Sequence, residues 1–306
     1  LLVPESLMDY VTGLPQITYL EKPKLLYFAD AFVRSISCIT PVQEGVMGLS
    51  GNGVLLACID SGVDYAHPDF CAPDGTSRIA ILWDQTIPGN PPMGYALGSV
   101  YTRQQINEAL ASSTPEERFA LVPSRDVTGH GTAVLGIAAG NGRSSADAAM
   151  RGVAPEATLV VVKLGNPDPA DLPRTSQLLQ AVDFCVRYAL LVERPLVINL
   201  SFGNNYGSHS GDSLLETYLN AVSNLGQNVI CIGAGNEGDT GRHYAGNLKS
   251  DRKSSGQTQT VRATSDPAAT SAVSATADRA VSVEFQVGAY ESSFSLQIWK
   301  VYGDEI

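Results

Sequence analysis

Short, continuous apolar runs recur along this chain at intervals filled by helical patterns, and few folds accommodate that alternation. Val54-Leu55-Leu56-Ala57-Cys58-Ile59, Thr158-Leu159-Val160-Val161-Val162, Leu196-Val197-Ile198-Asn199-Leu200 and Asn228-Val229-Ile230-Cys231-Ile232 are each one strand long. None alternates with polar residues, so each reads as a strand buried on both faces. Between them the period changes. Residues 175–192 set Leu178, Ala181, Val182, Cys185 and Ala189 at helical spacings of three and four. Residues 213–225 open on a capping box, Ser213 with Glu216, and stop at Gly226. A shorter helix is expected over 132–139, ending at Gly140-Asn141-Gly142. Strand, helix, strand, helix, strand predicts an α/β fold: a doubly wound parallel sheet with right-handed crossovers and helices on both faces.

The pattern breaks near residue 250. Lys249 to Asp278 is rich in Ser, Thr, Ala and Asp with little periodicity, and reads as linker or exposed loop. Val281, Val283, Phe285 and Val287 then alternate with polar residues or glycine, and Phe294, Leu296 and Ile298 follow suit. That is a β-hairpin, and a lone hairpin is marginal in water, so it belongs to a larger antiparallel sheet. The expected organisation is an end segment over 1–30, an α/β domain over 31–250, and a linker with the start of an inserted β domain over 251–306. A chain opening at Leu1, without Met, is expected to be part of a longer product.

Charge excludes some partners. The net charge is −11 and Lys and Arg are scattered, so nucleic acid is not an expected partner. No run reaches the ~18 apolar residues that span a bilayer, so no membrane partner is expected. Five cysteines, with no C-x-x-C pair, suggest neither a disulfide framework nor a zinc site.

Polar residues collect where open α/β sheets bind ligands, just past the carboxyl ends of strands. The first run delivers Asp60, in Asp60-Ser61-Gly62-Val63-Asp64. Further on, Gly129-His130-Gly131-Thr132 opens a helix with a face of small residues: Gly131, Ala133, Gly136 and Ala139. A buried carboxylate can hold one ring nitrogen of a histidine and leave the other free as a general base. Taken singly, Asp60 as a turn cap and His130 as a packed side chain are the plainer readings.

The ordered series changes the balance. Asp60-Ser61-Gly62, His130-Gly131-Thr132, Gly152-Val153-Ala154-Pro155, Asn199-Leu200-Ser201-Phe202-Gly203 and Gly233-Ala234-Gly235-Asn236-Glu237-Gly238 follow one another along the chain. Over roughly residues 45–240 this resembles the subtilisin-like serine peptidases. The resemblance implies that Asp60 orients His130, and that His130 takes the proton from a serine attacking a peptide carbonyl. It implies that the Asn236 amide donates to the developing oxyanion, an interaction whose loss in a subtilisin costs about 10²–10³ in turnover. Ser201, Phe202 and Gly203 would present backbone to an extended protein or peptide substrate, with Gly165 on the opposite wall and Gly235 beside the asparagine. No cofactor and no catalytic metal are implied.

The serine itself is missing. The family order is Asp, His, Ser, with the serine in a Gly-Thr-Ser-type segment, and nothing after Asn236 fits. Gly75-Thr76-Ser77 lies between Asp60 and His130 and reads as a turn; Gly207-Ser208-His209-Ser210-Gly211 has histidine where a nucleophile elbow needs serine. The chain is therefore expected to be a fragment ending before its nucleophile. The β pattern from Val281 to Tyr302 is similar to the jelly-roll insertion of the spore-germination proteases of anaerobic bacteria, as is Leu20-Glu21-Lys22-Pro23-Lys24-Leu25-Leu26-Tyr27 to their pro-segment junction. On that resemblance residues 1–30 are the tail of a pro-segment, which would be a partner of its own enzyme. The rival within the family is an inactive pseudoprotease that acts as a regulatory binding module. Outside it, Gly233-x-Gly235-x-x-Gly238 is formally a dinucleotide fingerprint, but the sequence that follows lacks the required helix. Asp64, His67 and Asp69 could ligate a metal, although Asp64 and Asp69 more simply hold the turn after Asp60.

Overall fold

The computed structural model describes residues 34–166, 172–204 and 209–236, with Leu14 and three short strand segments between residues 259 and 283. The chain divides at residue 48 into two units. In the first, helix α1 (Ile39–Glu44) follows Cys38, which takes a left-handed conformation at φ 56°.

The second unit is built on a six-stranded sheet. Its strands are β1 (Leu55–Asp60), β2 (Ile79–Asp84), β3 (Ser99–Thr102), β4 (Thr158–Lys163), β5 (Leu196–Leu200) and β6 (Asn228–Ile232), in the order β3-β2-β4-β1-β5-β6. The four apolar runs are β1, β4, β5 and β6, all parallel. One expectation needs correction: β3 runs antiparallel to β2, so the sheet is mixed, not wholly parallel. The reason is local. The connection from Gln85 to Gly98 turns back on itself, tied by the Trp83 indole nitrogen to Leu97 O at 3.1 Å and by Asn90 N to Ser99 Oγ at 3.0 Å. A chain that returns without a crossover can pair only antiparallel.

Between β3 and β4 lie α2 (Arg103–Leu110), α3 (Pro115–Leu121) and α4 (His130–Ala139); α5 (Thr175–Leu191) and α6 (Leu214–Ser223) connect β4 to β5 and β5 to β6. Thr102 with Gln105, and Thr114 with Glu117, form capping boxes for α2 and α3, as Ser213 with Glu216 does for α6. Gly226 follows α6 at φ +74°.

Strand periodicity sends β1 to two cores. Leu55, Ala57 and Ile59 face α5 and α6, packing with Ala181, Val182, Cys185 and Leu219. Leu56 and Cys58 face the other way, into a core with Ile106 of α2 and Leu135 and Ala139 of α4. Helices therefore cover both faces of the sheet. Asp60 comes two residues after Cys58, so it lies on the α4 side.

Past residue 250, β7 (Gln259–Val261), β8 (Ser271–Ala275) and β9 (Val281–Val283) form a separate antiparallel sheet in which Val273 pairs with Val283. Two of these strands fall in the stretch read as linker, which is a second correction. Ladder hydrogen bonds come from the backbone, so Ser, Thr and Ala can form strands without an apolar signature. The second half of the expected hairpin, the 1–30 segment apart from Leu14, and Gly238 lie outside the described residues.

Candidate active site

The winding of the sheet reverses between β4 and β5, which flank β1. The carboxyl end of β1 is thus a switch point, where an open α/β sheet leaves a crevice. Asp60 ends β1, and its side chain is only 3% exposed. His130 is the first residue of α4. Its ring Nδ1 lies 2.7 Å from Asp60 Oδ1, and 52% of the side chain stays exposed. With Asp60 ionised, this contact fixes the tautomer that carries the proton on Nδ1 and leaves Nε2 as an acceptor. Asp60 Oδ1 also accepts from Ser61 N at 2.7 Å, while Oδ2 is buried with no hydrogen-bond partner among the described residues.

Glycine makes the approach possible. A Cβ on Gly131 would collide with Gly62 O and would stand 3.1 Å from Asp60 Cβ. Only the smallest residue lets α4 come this near to the end of β1. Beneath the pair, Cys58 Sγ lies 3.9 Å from Gly131 O. Burial, reinforced by the Asp60 and Asp126 charges, pushes that thiol well above its ordinary value, so it stays protonated.

The first turn of α4 has unusual caps. Gly129, with φ +75°, has no side chain to offer. The free N–H groups bond instead to neighbours: His130 N to Thr128 Oγ1 at 3.2 Å, Gly131 N to Ser61 Oγ at 3.0 Å and Thr132 N to Asp126 Oδ2 at 2.8 Å. Lys163, at the end of β4, is a buried cation in register with Asp60 on one side and Asp84 on the other, and its Nζ donates to Arg125 O at 2.7 Å. Neither Asp126 nor Lys163 is among the residues that the sequence pattern singles out. A signal for Asp126 was there: Asp126-x-Thr128-Gly129 is an Asx-turn pattern just ahead of a helix.

The other expected site residues stand at the same sheet edge. Ser201 Oγ accepts from Asn199 Nδ2 at 2.8 Å, and Phe202 and Gly203 continue from β5. Gly235, at φ +88°, and Asn236 follow β6. Gly165 follows β4, with Pro173 packed 3.1 Å from where its Cβ would be. In the sheet, β5 neighbours β1 and β6 lies one strand further out. Hydrogen bonding joins Asp60 to His130; the Ser201–Gly203 and Gly235–Asn236 segments share only the edge.

The carboxylates weighed as metal ligands have other work. Asp64 Oδ1 accepts from Ala66 N at 3.1 Å, and Asp69 Oδ1 from Ser144 N at 2.7 Å. Among the described residues no group of three or more His, Cys, Asp or Glu is placed to hold a metal ion. No helix among them is long and apolar enough to cross a membrane.

Comparison with known proteins agrees with this architecture. The chain is 26% identical over 228 residues to Subtilisin E of Bacillus subtilis (strain 168), an alignment covering 74% of this chain and 46% of that protein. It is 29% identical over 205 residues to the Major intracellular serine protease of the same organism, covering 67% and 49%. Among solved structures, the Clostridium perfringens CspB protease matches with a TM-score of 0.62 and 35% identity, over 70% of this chain and 42% of that one. The chain thus spans about half the length of the curated relatives it matches. The profile of the Subtilase family, Peptidase S8, matches residues 51–296, and the chain belongs to that family.

Proposed function

We propose that the protein carrying this chain is a serine endopeptidase that hydrolyses peptide bonds through an acyl-enzyme. The observation that supports this most is the 2.7 Å contact between a buried Asp60 and a half-exposed His130. In this reading Asp60 keeps the proton of the imidazole on Nδ1. Nε2 takes the proton of a serine hydroxyl as its oxygen bonds to the peptide carbonyl carbon, and the Asp60 charge stabilises the imidazolium so formed. The same proton then passes to the leaving amine, and water repeats the sequence on the ester. Asn236 donates to the oxyanion, and the Ser201–Gly203 backbone holds the substrate strand, with Gly165 and Gly235 lining the cleft.

The nucleophile is supplied from beyond this chain, on an element that covers α4. Two observations support that. No Gly-Thr-Ser-type segment follows Asn236. Helix α4 is apolar nearly all round, yet Ala133 and Ile137 on the His130 side are exposed, Ile137 by 65%. A helix of that composition is normally enclosed. The 35% identity to a clostridial protease supports placing the chain with the spore-germination branch. On that placement residues 1–30 are the tail of a pro-segment or leader, and β7–β9 lie at the start of an inserted β domain.

The test is fluorophosphonate labelling of the whole protein, with His130→Ala and Asp60→Asn alongside. Labelling of one serine is expected in the unaltered protein and is lost with His130. In subtilisin the corresponding losses of turnover are about 10⁶-fold for the histidine and about 10⁴-fold for the aspartate. Unchanged proteolysis in His130→Ala refutes the assignment. A protein that folds but is never labelled is instead the pseudoprotease.

A further inference from the structure

Asp126 is half-buried on the loop that leads into α4, and six donor contacts converge on it. Oδ1 receives Ser61 Oγ at 2.9 Å, Gly129 N at 3.0 Å, Thr128 Oγ1 at 3.1 Å and Thr128 N at 3.2 Å. Oδ2 receives Thr132 Oγ1 at 2.7 Å and Thr132 N at 2.8 Å. The donors belong to two segments. Ser61 is the residue after Asp60; Thr128, Gly129 and Thr132 surround His130.

The partners of Asp126 are themselves cross-linked. Thr128 Oγ1 lies 2.8 Å from Ser61 Oγ, which in turn accepts from Gly131 N. Thr132 Oγ1 accepts from Asp64 N at 2.9 Å, on the stretch that follows Ser61. Each of the three free N–H groups of the first turn therefore ends on Asp126 or on a hydroxyl bonded to it. The carboxylate fastens the start of α4 to the end of β1.

We infer that Asp126 is the positioning residue of the Asp60–His130 pair: one carboxylate sets the register of both partners and so fixes the 2.7 Å contact between them. The inference rests on the peptidase reading above. Burial pushes the Asp126 carboxyl up, but the bonds from Thr132, Ser61 and Thr128 outweigh it and hold the group below the ordinary carboxylate value, so it is ionised wherever the pair operates. The charged groups around the pair on the packed elements are Asp60 on β1, Lys163 on β4, and Asp64, Arg125 and Asp126 on loops. Lys163 is directed at Arg125 O, and the Arg125 guanidinium lies 3.7 Å over the Phe119 ring. That leaves Asp126 as the acid that binds both segments.

The experiment uses the whole protein with ¹⁵N-labelled histidine, in Asp126→Ala, Asp126→Asn and His130→Gln forms. Ring nitrogen shifts report the tautomer of His130, assigned by its loss in His130→Gln. The unaltered protein is expected to hold the Nδ1–H form. In Asp126→Ala the pair slips, the Nε2–H form becomes predominant, and kcat falls by about 10²-fold while KM stays within about two-fold. Asp126→Asn keeps an acceptor for Ser61 and Gly129 but not for Thr132 N, and is expected to fall between the two. A merely structural carboxylate would lower the melting temperature without moving the tautomer or splitting kcat from KM. Folded Asp126→Ala and Asp126→Asn with the Nδ1–H form and kcat intact overturn the inference alone. An unaltered protein without the Nδ1–H form overturns the Asp60–His130 pair, and the peptidase reading with it.

Discussion

Arg78 offers a sharp test of how the scaffold behind the site is held. It stands just before β2, with no ion pair to an acid among the described residues, and its guanidinium serves backbone carbonyls. Nη1 donates to Ala139 O at 2.7 Å and Asp69 O at 2.9 Å; Nη2 donates to Ala157 O at 2.9 Å, with Ala154 O further off at 3.5 Å. These carbonyls belong to the end of α4, the turn after β1 and the approach to β4. Burial pushes the Arg78 pKa down to about 10, still far above neutral, so the cation persists. Arg78→Met keeps the stem and removes all the donors. Three short bonds at about 1.5 kcal/mol each come to about 4–5 kcal/mol, and water reaching a half-buried position returns about a third. The expected loss is about 3 kcal/mol. In a domain of this size that lowers the melting temperature by about 6–12 °C. Arg78→Lys keeps the charge but not the fork and should lose about half as much. Urea unfolding of the whole protein gives both values. A loss below about 1 kcal/mol in Arg78→Met would mean that water satisfies these carbonyls and the arginine is incidental.

Other perturbations test the neighbouring parts. Gly131→Ala should force α4 away from Gly62 O, so proteolysis should fall with the His130 Nδ1–H signal; a fully active Gly131→Ala would contradict the close approach. Tyr65 donates to Val122 O at 2.8 Å, and Tyr65→Phe should cost about 1 kcal/mol at pH 8. Burial raises the Tyr65 phenol to about 12, so its contribution is present below the unfolded value near 10 and is lost as pH rises through 12. The stability difference between Tyr65→Phe and the unaltered protein should accordingly shrink from pH 10 upward, and a constant difference would argue against the buried bond. A maleimide should modify the exposed Cys38 in the folded protein and spare Cys58 and Cys185 until denaturant is added.

Much of the sheet was legible because its strands are unbroken apolar runs, and β1 and β4 are buried along nearly their whole length as expected. Strand β6 departs from that expectation: it is an edge strand of the six, and Val229, Cys231 and Ile232 are exposed among the described residues. Strands β2 and β3 were harder to see. Ile79-Ala80-Ile81-Leu82-Trp83 is as long and as apolar as the other runs, but only a three-residue 3₁₀ turn and loop separate it from β1, so it falls outside the alternation of strand and helix; Ser99-Val100-Tyr101-Thr102 is a four-residue edge strand whose pairing depends on the return of the chain after Trp83. Strands β7 and β8 carry small and polar residues and pair through the backbone, so periodicity is blind to them. At the site, Asp60 and His130 were readable because each ends or begins an element whose type is plain in the sequence. Asp126 was not, since its role consists of hydrogen bonds to two segments that lie together only after folding.

The hydrogen bond between Asp60 and His130 joins residues 70 positions apart. Closing a flexible loop of that length costs about 4 kcal/mol of chain entropy. A charge-assisted bond contributes about 1.5–3 kcal/mol, too little to hold the ends together unaided. The contact must wait for the sheet, and the sheet is itself non-local, since Leu55 pairs with Thr158 on one side and Leu196 on the other. Such topologies fold slowly. As the chain leaves the ribosome, Asp60 emerges well before the strands that will flank it. Until those strands have been made and paired, nothing holds the His130 ring in the orientation that the Asp60 contact gives it.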